Sequence, residues 1–345
     1  MFKFLKSKFF KIGKGLLAFD FGSYSIKVAE FKIVKGEPIL TGFVQGRTFK
    51  NVLFNGIIND EKLLATNVKN ILWDLSSVFD SVVLALPYEL IIYGKIVTKE
   101  IENENNIRDR INEEIPYKIE DVYYSYYTIP SQNGYEVYFI VVKKDVIDKY
   151  KNFFKSNGYK LENIDADFIN LHNYSEFLYG ESNRLIIDWG YSKIKLLFST
   201  KHVPIYGREL FSLGLKALKQ RIVKELKILP EVAEKIMVNF ENEERKEEIK
   251  KIYKEYIKEV LKEIKYSIDI FSQKFNINIE VIYIVGGGAR IPNIKEILKN
   301  YFNIETKNLR IEDKFKVSKN IDPNYLDIIN TQGANAIAIG VKDFI

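Results

Sequence analysis

The sequence predicts an α/β chain of two lobes, with a small α+β subdomain inserted in the first. Three observations carry that expectation. The strand–turn–strand of residues 16–31, centred on Asp20-Phe21-Gly22-Ser23-Tyr24-Ser25-Ile26-Lys27, recurs without a gap at residues 184–198. There Asp188, Trp189, Gly190, Ile194 and Lys195 fall on Asp20, Phe21, Gly22, Ile26 and Lys27. Short buried strands also alternate with amphipathic helices in both halves, and residues 88–158 read as a separate set of strands and helices between them.

A chain of 345 residues, 46% hydrophobic and 28% charged, can bury a sizeable core. It has no cysteine and only two histidines, His172 and His202, each alone in its segment. Disulfides, thiolate chemistry and zinc-finger sites are therefore excluded, and neither a histidine metal centre nor a Ser-His-Asp triad is expected. The net charge is +6, but five lysines and no acid lie within residues 1–15, so the remainder is close to neutral. A nucleic-acid-binding surface is not expected from that distribution. No apolar run reaches the roughly 18 residues of a membrane span, and the start lacks a signal-peptide pattern. A cytoplasmic location is expected.

Residues 1–14 interleave Phe2, Leu5, Phe9 and Ile12 with lysines. Two readings stand for them: a basic amphipathic segment resting on an anionic membrane surface, or a frayed tail or helix packed on the body. The first lobe begins with residues 15–87. Its hairpin precedes turns at Glu37-Pro38 and Gly42, a loop over 44–57 with a turn at Asn55-Gly56, and a helix capped by Asp60. Residues 81–86 form a buried strand stopped by Pro87.

The insert of residues 88–158 offers a strand at 91–97, a charged helix at 101–115 and tyrosine-rich strands at 122–129 and 135–142. Glu113, Glu114, Glu120 and Asp121 accompany those tyrosines, which favours packing or a protein-binding face over base stacking. A helix over 145–157 ends at Gly158. Residues 159–181 connect the lobes as a strand and a short helix. The second lobe, residues 182–330, carries the repeated hairpin, a turn over 202–207 and a helix through Leu215, Leu218 and Ile222. A short helix over 231–240 and a long amphipathic one over 241–271 follow. The strand 281–285 runs into Gly286-Gly287-Gly288. Residues 331–345 hold a final helix of small residues suited to close packing.

In a tight Asp-x-Gly turn successive N–H groups converge on one concavity and can hold an anion. Two such turns and a glycine run at a strand end predict a polyphosphate held between the lobes. Asp20 and Asp188 would approach a Mg²⁺ ion through its waters, because that ion keeps much of its hydration shell. Lys27 and Lys195 either balance phosphate charge or are outward strand residues.

The order of Asp-x-Gly hairpin, connecting helix, second hairpin, glycine-rich strand end and small-residue helix resembles the actin/Hsp70/sugar-kinase superfamily. Within it the chain resembles the PilM family of actin-like proteins of type IV pilus assembly. The likeness rests on residues 20–28, on Glu113-Glu114-Ile115-Pro116-Tyr117, on Gly158 with Ile164-Asp165-Ala166-Asp167, and on Arg208-Glu209, Gly214 and Ala233-Glu234. It implies a two-lobed actin-like (ribonuclease H-like) fold that binds ATP with Mg²⁺. Gly22, Ser23, Tyr24, Ser25 and Lys27, with Gly190, Tyr191 and Ser192, would hold phosphates. Gly286, Gly287 and Gly288 would border the adenosine, Glu234 would reach the ribose, and Gly214 would lie in the same site.

The resemblance also implies a partner. Members bind the cytoplasmic N-terminal peptide of the inner-membrane protein PilN in a first-lobe groove near the insert, among other pilus assembly components. Several residues depart from the pattern: Tyr24 and Tyr191 replace smaller residues, Met237 stands where a lysine is common, and Leu215 where a second glycine is. These imply binding with at most slow hydrolysis. Asp167 is the first candidate to orient an attacking water and Asp165 the second, a helix N-cap being the other reading of Asp167. A small-molecule kinase of the same superfamily and an FtsA-like cell-division protein are the alternatives. The latter is disfavoured by the expected absence of an amphipathic helix after Lys342.

Overall fold

A computed structural model of the protein describes residues 15–238 and 243–345, so the basic segment 1–14 lies outside the described residues. Strand β1 (Gly15–Phe21) is buried on both faces, and β2 (Ser25–Val34) folds back on it antiparallel. Strand β3 (Glu37–Arg47) continues the meander. This strand replaces the turns expected at Glu37-Pro38 and Gly42 and the first part of the loop expected over 44–57. Pro38 lies at the strand's start, where a missing donor is tolerated, and a bulge between Leu40 and Gly42 absorbs the irregularity. Gly42 makes room for a neighbour, since a Cβ there would lie 2.4 Å from Leu75 Cδ1.

Strands β4 (Leu53–Phe54) and β5 (Ile57–Ile58) form a small hairpin about Asn55-Gly56, both at positive φ. Helix α1 (Glu61–Trp73) starts where Asp60 Oδ1 accepts the Leu63 N–H at 2.9 Å. Strand β6 (Ser81–Leu86) is wholly buried and runs parallel to β1. The insert comprises β7 (Ile92–Thr98), α2 (Glu104–Glu114), β8 (Val122–Ser131) and β9 (Gly134–Lys143). Its sheet is ordered β7-β9-β8, and Ile107 and Ile111 of α2 cover one face. Helix α3 (Lys144–Ser156) ends at Asn157, with Gly158 at φ 82°, then β10 (Lys160–Ala166) and α4 (Asp167–Tyr179) follow.

The second repeat is β11 (Arg184–Trp189) and β12 (Ile194–Ser199), joined by β13 (Pro204–Leu210). Most of the turn expected at 202–207 is therefore strand, paired antiparallel with β12. Helices α5 (Leu215–Leu226), α6 (Pro230–Val238) and α7 (Lys246–Phe275) come next. Strand β14 (Val281–Val285), α8 (Ile294–Phe302), β15 (Glu305–Lys307) and β16 (Lys316–Val317) follow. The single final helix expected from the sequence is two, α9 (Leu326–Thr331) and α10 (Ala334–Val341), separated at Gln332-Gly333.

The described residues divide into two compact units. The first holds residues up to Tyr174 with Ile311–Pro323 and Asn335–Ile345, and the second Ser175–Arg310 with Asn324–Ala334. Residues 311–323, expected in the second lobe, join the first unit because β16 pairs parallel with β3. The first unit's sheet is ordered β10-β6-β1-β2-β3-β16 and the second's β13-β12-β11-β14-β15. Five strands of each share one plan: an antiparallel meander of three, then two parallel strands beside the first. Small residues of α10 pack on the first sheet, with Gly340 against Phe31 and Ala18.

In the second unit the apolar stripe of α7, including Tyr256, Val260, Ile264 and Phe271, covers the same core as Ile187, Trp189 and Ile284. Trp189 is fully buried, and its Nε1–H donates to Tyr256 Oη at 2.9 Å. That hydroxyl in turn donates to the Leu213 carbonyl at 2.7 Å. Burial pushes the Tyr256 phenol well above its usual range, so it stays a neutral donor. Tyr256→Phe leaves a buried indole N–H and a carbonyl unpaired and is expected to cost about 1–3 kcal/mol. A shift in the urea midpoint monitored by tryptophan fluorescence checks it.

Candidate functional site

The sequence repeat is a register repeat. Asp20 lies opposite Lys27 and Phe21 opposite Ile26, just as Asp188 lies opposite Lys195 and Trp189 opposite Ile194. A direct cross-strand pair puts both side chains on one face. Lys27 Nζ is 3.0 Å from Asp20 Oδ2, and Lys195 Nζ is 3.8 Å from Asp188 Oδ2. The rows continue onto the third strands, to Gln45 beside Lys27 and Glu209 beside Lys195. Glu209 also takes Lys193 at 2.6 Å. Each aspartate is thus already neutralised by a lysine.

In both turns the carbonyls are hydrogen-bonded to neighbouring segments. In the first, Gly22 N–H donates to Ser25 O at 3.2 Å. Thr48 gives its hydroxyl to the Gly22 carbonyl at 2.7 Å and its N–H to the Tyr24 carbonyl at 2.9 Å. A Cβ on Gly22 would sit 2.7 Å from Lys27 Nζ, so the ammonium lies over the bare glycine. Tyr24 is held by Arg47, whose guanidinium stands 4.3 Å from the ring centroid and donates to Oη at 2.8 Å. Thr48 and Arg47 escaped sequence reading because residues 44–57 were expected to be a loop, whereas Arg47 ends β3 and Thr48 follows it.

In the second turn the carbonyls of Gly190 and Tyr191 accept the N–H groups of Leu215 and Lys216 at 3.1 and 2.8 Å. The start of α5 is therefore occupied by the hairpin itself. Only glycine fits at 214, where a Cβ would lie 2.3 Å from Tyr191 O and 2.5 Å from Lys193 N. The structure brings Asp188, residues 190–192, Gly214 and residues 286–288 together. Gly286 has φ 82° and a Cβ there would lie 2.8 Å from Asp188 Oδ1, while one on Gly288 would enter the Trp189 ring. Gly287 faces only the Leu215 side chain. Glu234 forms an ion pair with Lys219 in the second turn of α5.

Asp167 opens α4, buried, with Oδ1 accepting the Phe168 N–H at 2.7 Å. Asp165 is fully buried and ion-paired with Lys342, which also donates to Asn163 Oδ1 at 3.3 Å. Asn163 in turn donates to Asp343 Oδ2 at 3.2 Å. Burial pushes the Asp165 carboxyl upward and Lys342 opposes it. This network fastens the C-terminal segment to β10. Lys342→Met would strand a buried carboxylate and is expected to cost about 3–5 kcal/mol, with Asp165→Leu added to it restoring most of the loss. Chemical denaturation of the single and double variants checks this.

The first unit also carries a groove of about 220 Å³ where the insert meets the body. Its lining includes Ile57, Leu90, Ile92, Val142 and Val146, with Glu89, Tyr117 and Lys143 also among the lining residues. One wall depends on Gly56: at φ 75° a Cβ would lie 2.5 Å from Pro87 Cγ and 3.2 Å from Leu90 Cδ1. Tyr150 Oη donates to the Gly56 carbonyl and pins that turn. The lining residues come from four separated stretches, at 57, 89–92, 117 and 141–146, each an ordinary strand, turn or helix start in the sequence. Among the described residues no group of three His, Asp or Glu side chains could hold a metal ion, and no helix is long and apolar enough to cross a membrane.

Comparison with known proteins gives consistent matches. The model of a family described as type IV pilus assembly protein PilM matches residues 18–344. A solved structure described as a PilM-PilN type IV pilus biogenesis complex aligns with TM-score 0.79 at 20% identity, over 95% of this chain and 98% of that one. The ethanolamine utilization protein EutJ of Carboxydothermus hydrogenoformans gives 0.57 at 13% identity, over 94% of this chain and 88% of that one. MreB5 of Spiroplasma citri, bound to AMPPNP, gives 0.52 at 14% identity over 96% of each chain. No curated protein matches the sequence. The fold class is thus the mixed α/β, actin-like one that the sequence predicts.

Proposed function

The chain belongs to the family of type IV pilus assembly protein PilM, and from that premise we propose a nucleotide-binding adaptor at the cytoplasmic face of the inner membrane. ATP is the proposed ligand of the hairpins, and the N-terminal peptide of a PilN-like membrane protein that of the groove. The observation that carries the nucleotide reading is the repeated turn. In both copies the turn carbonyls are hydrogen-bonded, by Thr48 or by the start of α5, and a turn fixed in this way can present N–H groups to an anion. Gly22, Ser23, Tyr24 and Ser25 with Lys27, and Gly190, Tyr191 and Ser192, are the residues that would hold phosphates. Gly286 to Gly288 and Gly214 form the small-residue wall beside them.

The donor set suits a polyphosphate better than a bare cation. Asp20 and Asp188 are each neutralised by lysine, so Mg²⁺ would arrive on the phosphates and meet the aspartates through water. The peptide reading rests on the groove, whose apolar lining and position beside the insert suit an extended segment. The similarity to a solved PilM-PilN complex supports the choice of partner.

In calorimetry with Mg-ATP, Asp20→Ala and Asp188→Ala are expected to weaken binding about tenfold each, and unchanged affinity in both removes the nucleotide reading. With the host's own PilN-like N-terminal peptide, Leu90→Ser is expected to weaken binding by a similar factor. Equal binding by the variant and the native chain removes the groove as its site.

A further inference from the structure

Beside the apolar groove stands a set of ammonium groups held by tyrosine rings. Lys143, which lines the groove, lies 4.4 Å from the Tyr117 ring centroid. Lys144 and Lys151 lie 5.6 and 4.9 Å from that of Tyr123. A cation over an aromatic face is oriented without being neutralised. Lys143 has no ion-pair partner among the described residues. Lys144 donates a hydrogen bond to the Glu120 backbone carbonyl rather than to a carboxylate, and Glu120's own carboxylate takes Arg108 at 2.6 Å. Lys151 has only Asp148, 3.9 Å away. Against these three cations the groove lining supplies one carboxylate, Glu89.

Three oriented cations with so little local counter-charge beside an apolar trough ask for a ligand of mixed character. We infer that the groove recognises an extended peptide carrying an aliphatic anchor followed by an acidic residue. The anchor sits among Leu90, Ile92 and Val146, and the carboxylate meets Lys143 on Tyr117. The inference rests on the peptide reading of the groove and adds the chemistry of the segment it selects. Because Lys143 is exposed at the rim, its contribution is that of a surface ion pair, about fivefold in affinity and weaker in salt.

The test uses the full chain and fluorescence anisotropy with three matched synthetic peptides: leucine followed by glutamate, leucine followed by glutamine, and serine followed by glutamate. The glutamate peptide is expected to bind about fivefold tighter than the glutamine one, and Lys143→Gln is expected to erase that difference without adding to it. Equal affinity of the two leucine peptides for the native chain overturns the inference. If they also lose binding equally in Leu90→Ser, the groove reading survives without the acidic partner. If the serine peptide binds as well as the leucine ones, or Leu90→Ser changes nothing, the groove reading itself fails. Sedimentation with phosphatidylglycerol vesicles closes the remaining alternative. Vesicle binding that Lys143→Gln, Lys144→Gln and Lys151→Gln together abolish, in a chain indifferent to the peptide's glutamate, assigns the cations to a lipid surface and overturns the proposal.

Discussion

Each repeated hairpin depends on the burial of the aromatic residue that follows its aspartate. Phe21 sits against Tyr150, Phe153 and Phe154 of α3, with ring centroids 5.9, 6.2 and 6.0 Å away. Trp189 is buried under α7 and hydrogen-bonded to Tyr256. Side chains alternate across a strand, so an aromatic fixed on the helix side forces the preceding aspartate to the opposite face. A slip of one residue would bury Asp20 or Asp188 and expose the ring. Register is therefore set by apolar packing, and the Asp–Lys pairs follow from it.

The same constraint explains the glycines on the second hairpin's far side. A buried indole occupies space that the strand end beyond β14 must also cross. Gly288 is the residue without a side chain at that crossing, and Gly286 adopts φ 82° to pass the Asp188 carboxylate. The glycine run reads in the sequence as room for a ligand. In the structure two of its three members first make room for the protein's own turn, and Gly287 faces the Leu215 side chain.

What was legible in the sequence was what repeats or what punctuates. The paired hairpins, the cap at Asp60, the Asn55-Gly56 turn and the stop at Gly158 all declare themselves through local chemistry. Strand β3 did not, because Pro38 and Gly42 look like turn residues until Leu75 of another segment is placed against Gly42. Reading residues 44–57 as a loop also hid Arg47 and Thr48, the two residues that hold the first turn. Residues 311–323 misled for a similar reason: only a non-local pairing with Ile39 and Leu40 assigns them to the first unit. The groove was invisible for the same cause in stronger form, since no single segment of it is unusual.

Helix α3 links the two candidate sites of the first unit physically. Tyr150 stacks on Phe21, one residue from Gly22 of the first turn, and its hydroxyl holds Gly56 at the groove wall. Val146, one turn earlier on the helix, lines the groove directly. Contiguity of packed groups is a route and not itself a coupling; coupling requires that the element have two arrangements which each ligand favours differently. A helix wedged between a hairpin aromatic and a glycine wall has few positions to choose from. Phe21 and Gly56 are thus tied to one side chain, Tyr150, through a ring stack on one side and a hydrogen bond on the other.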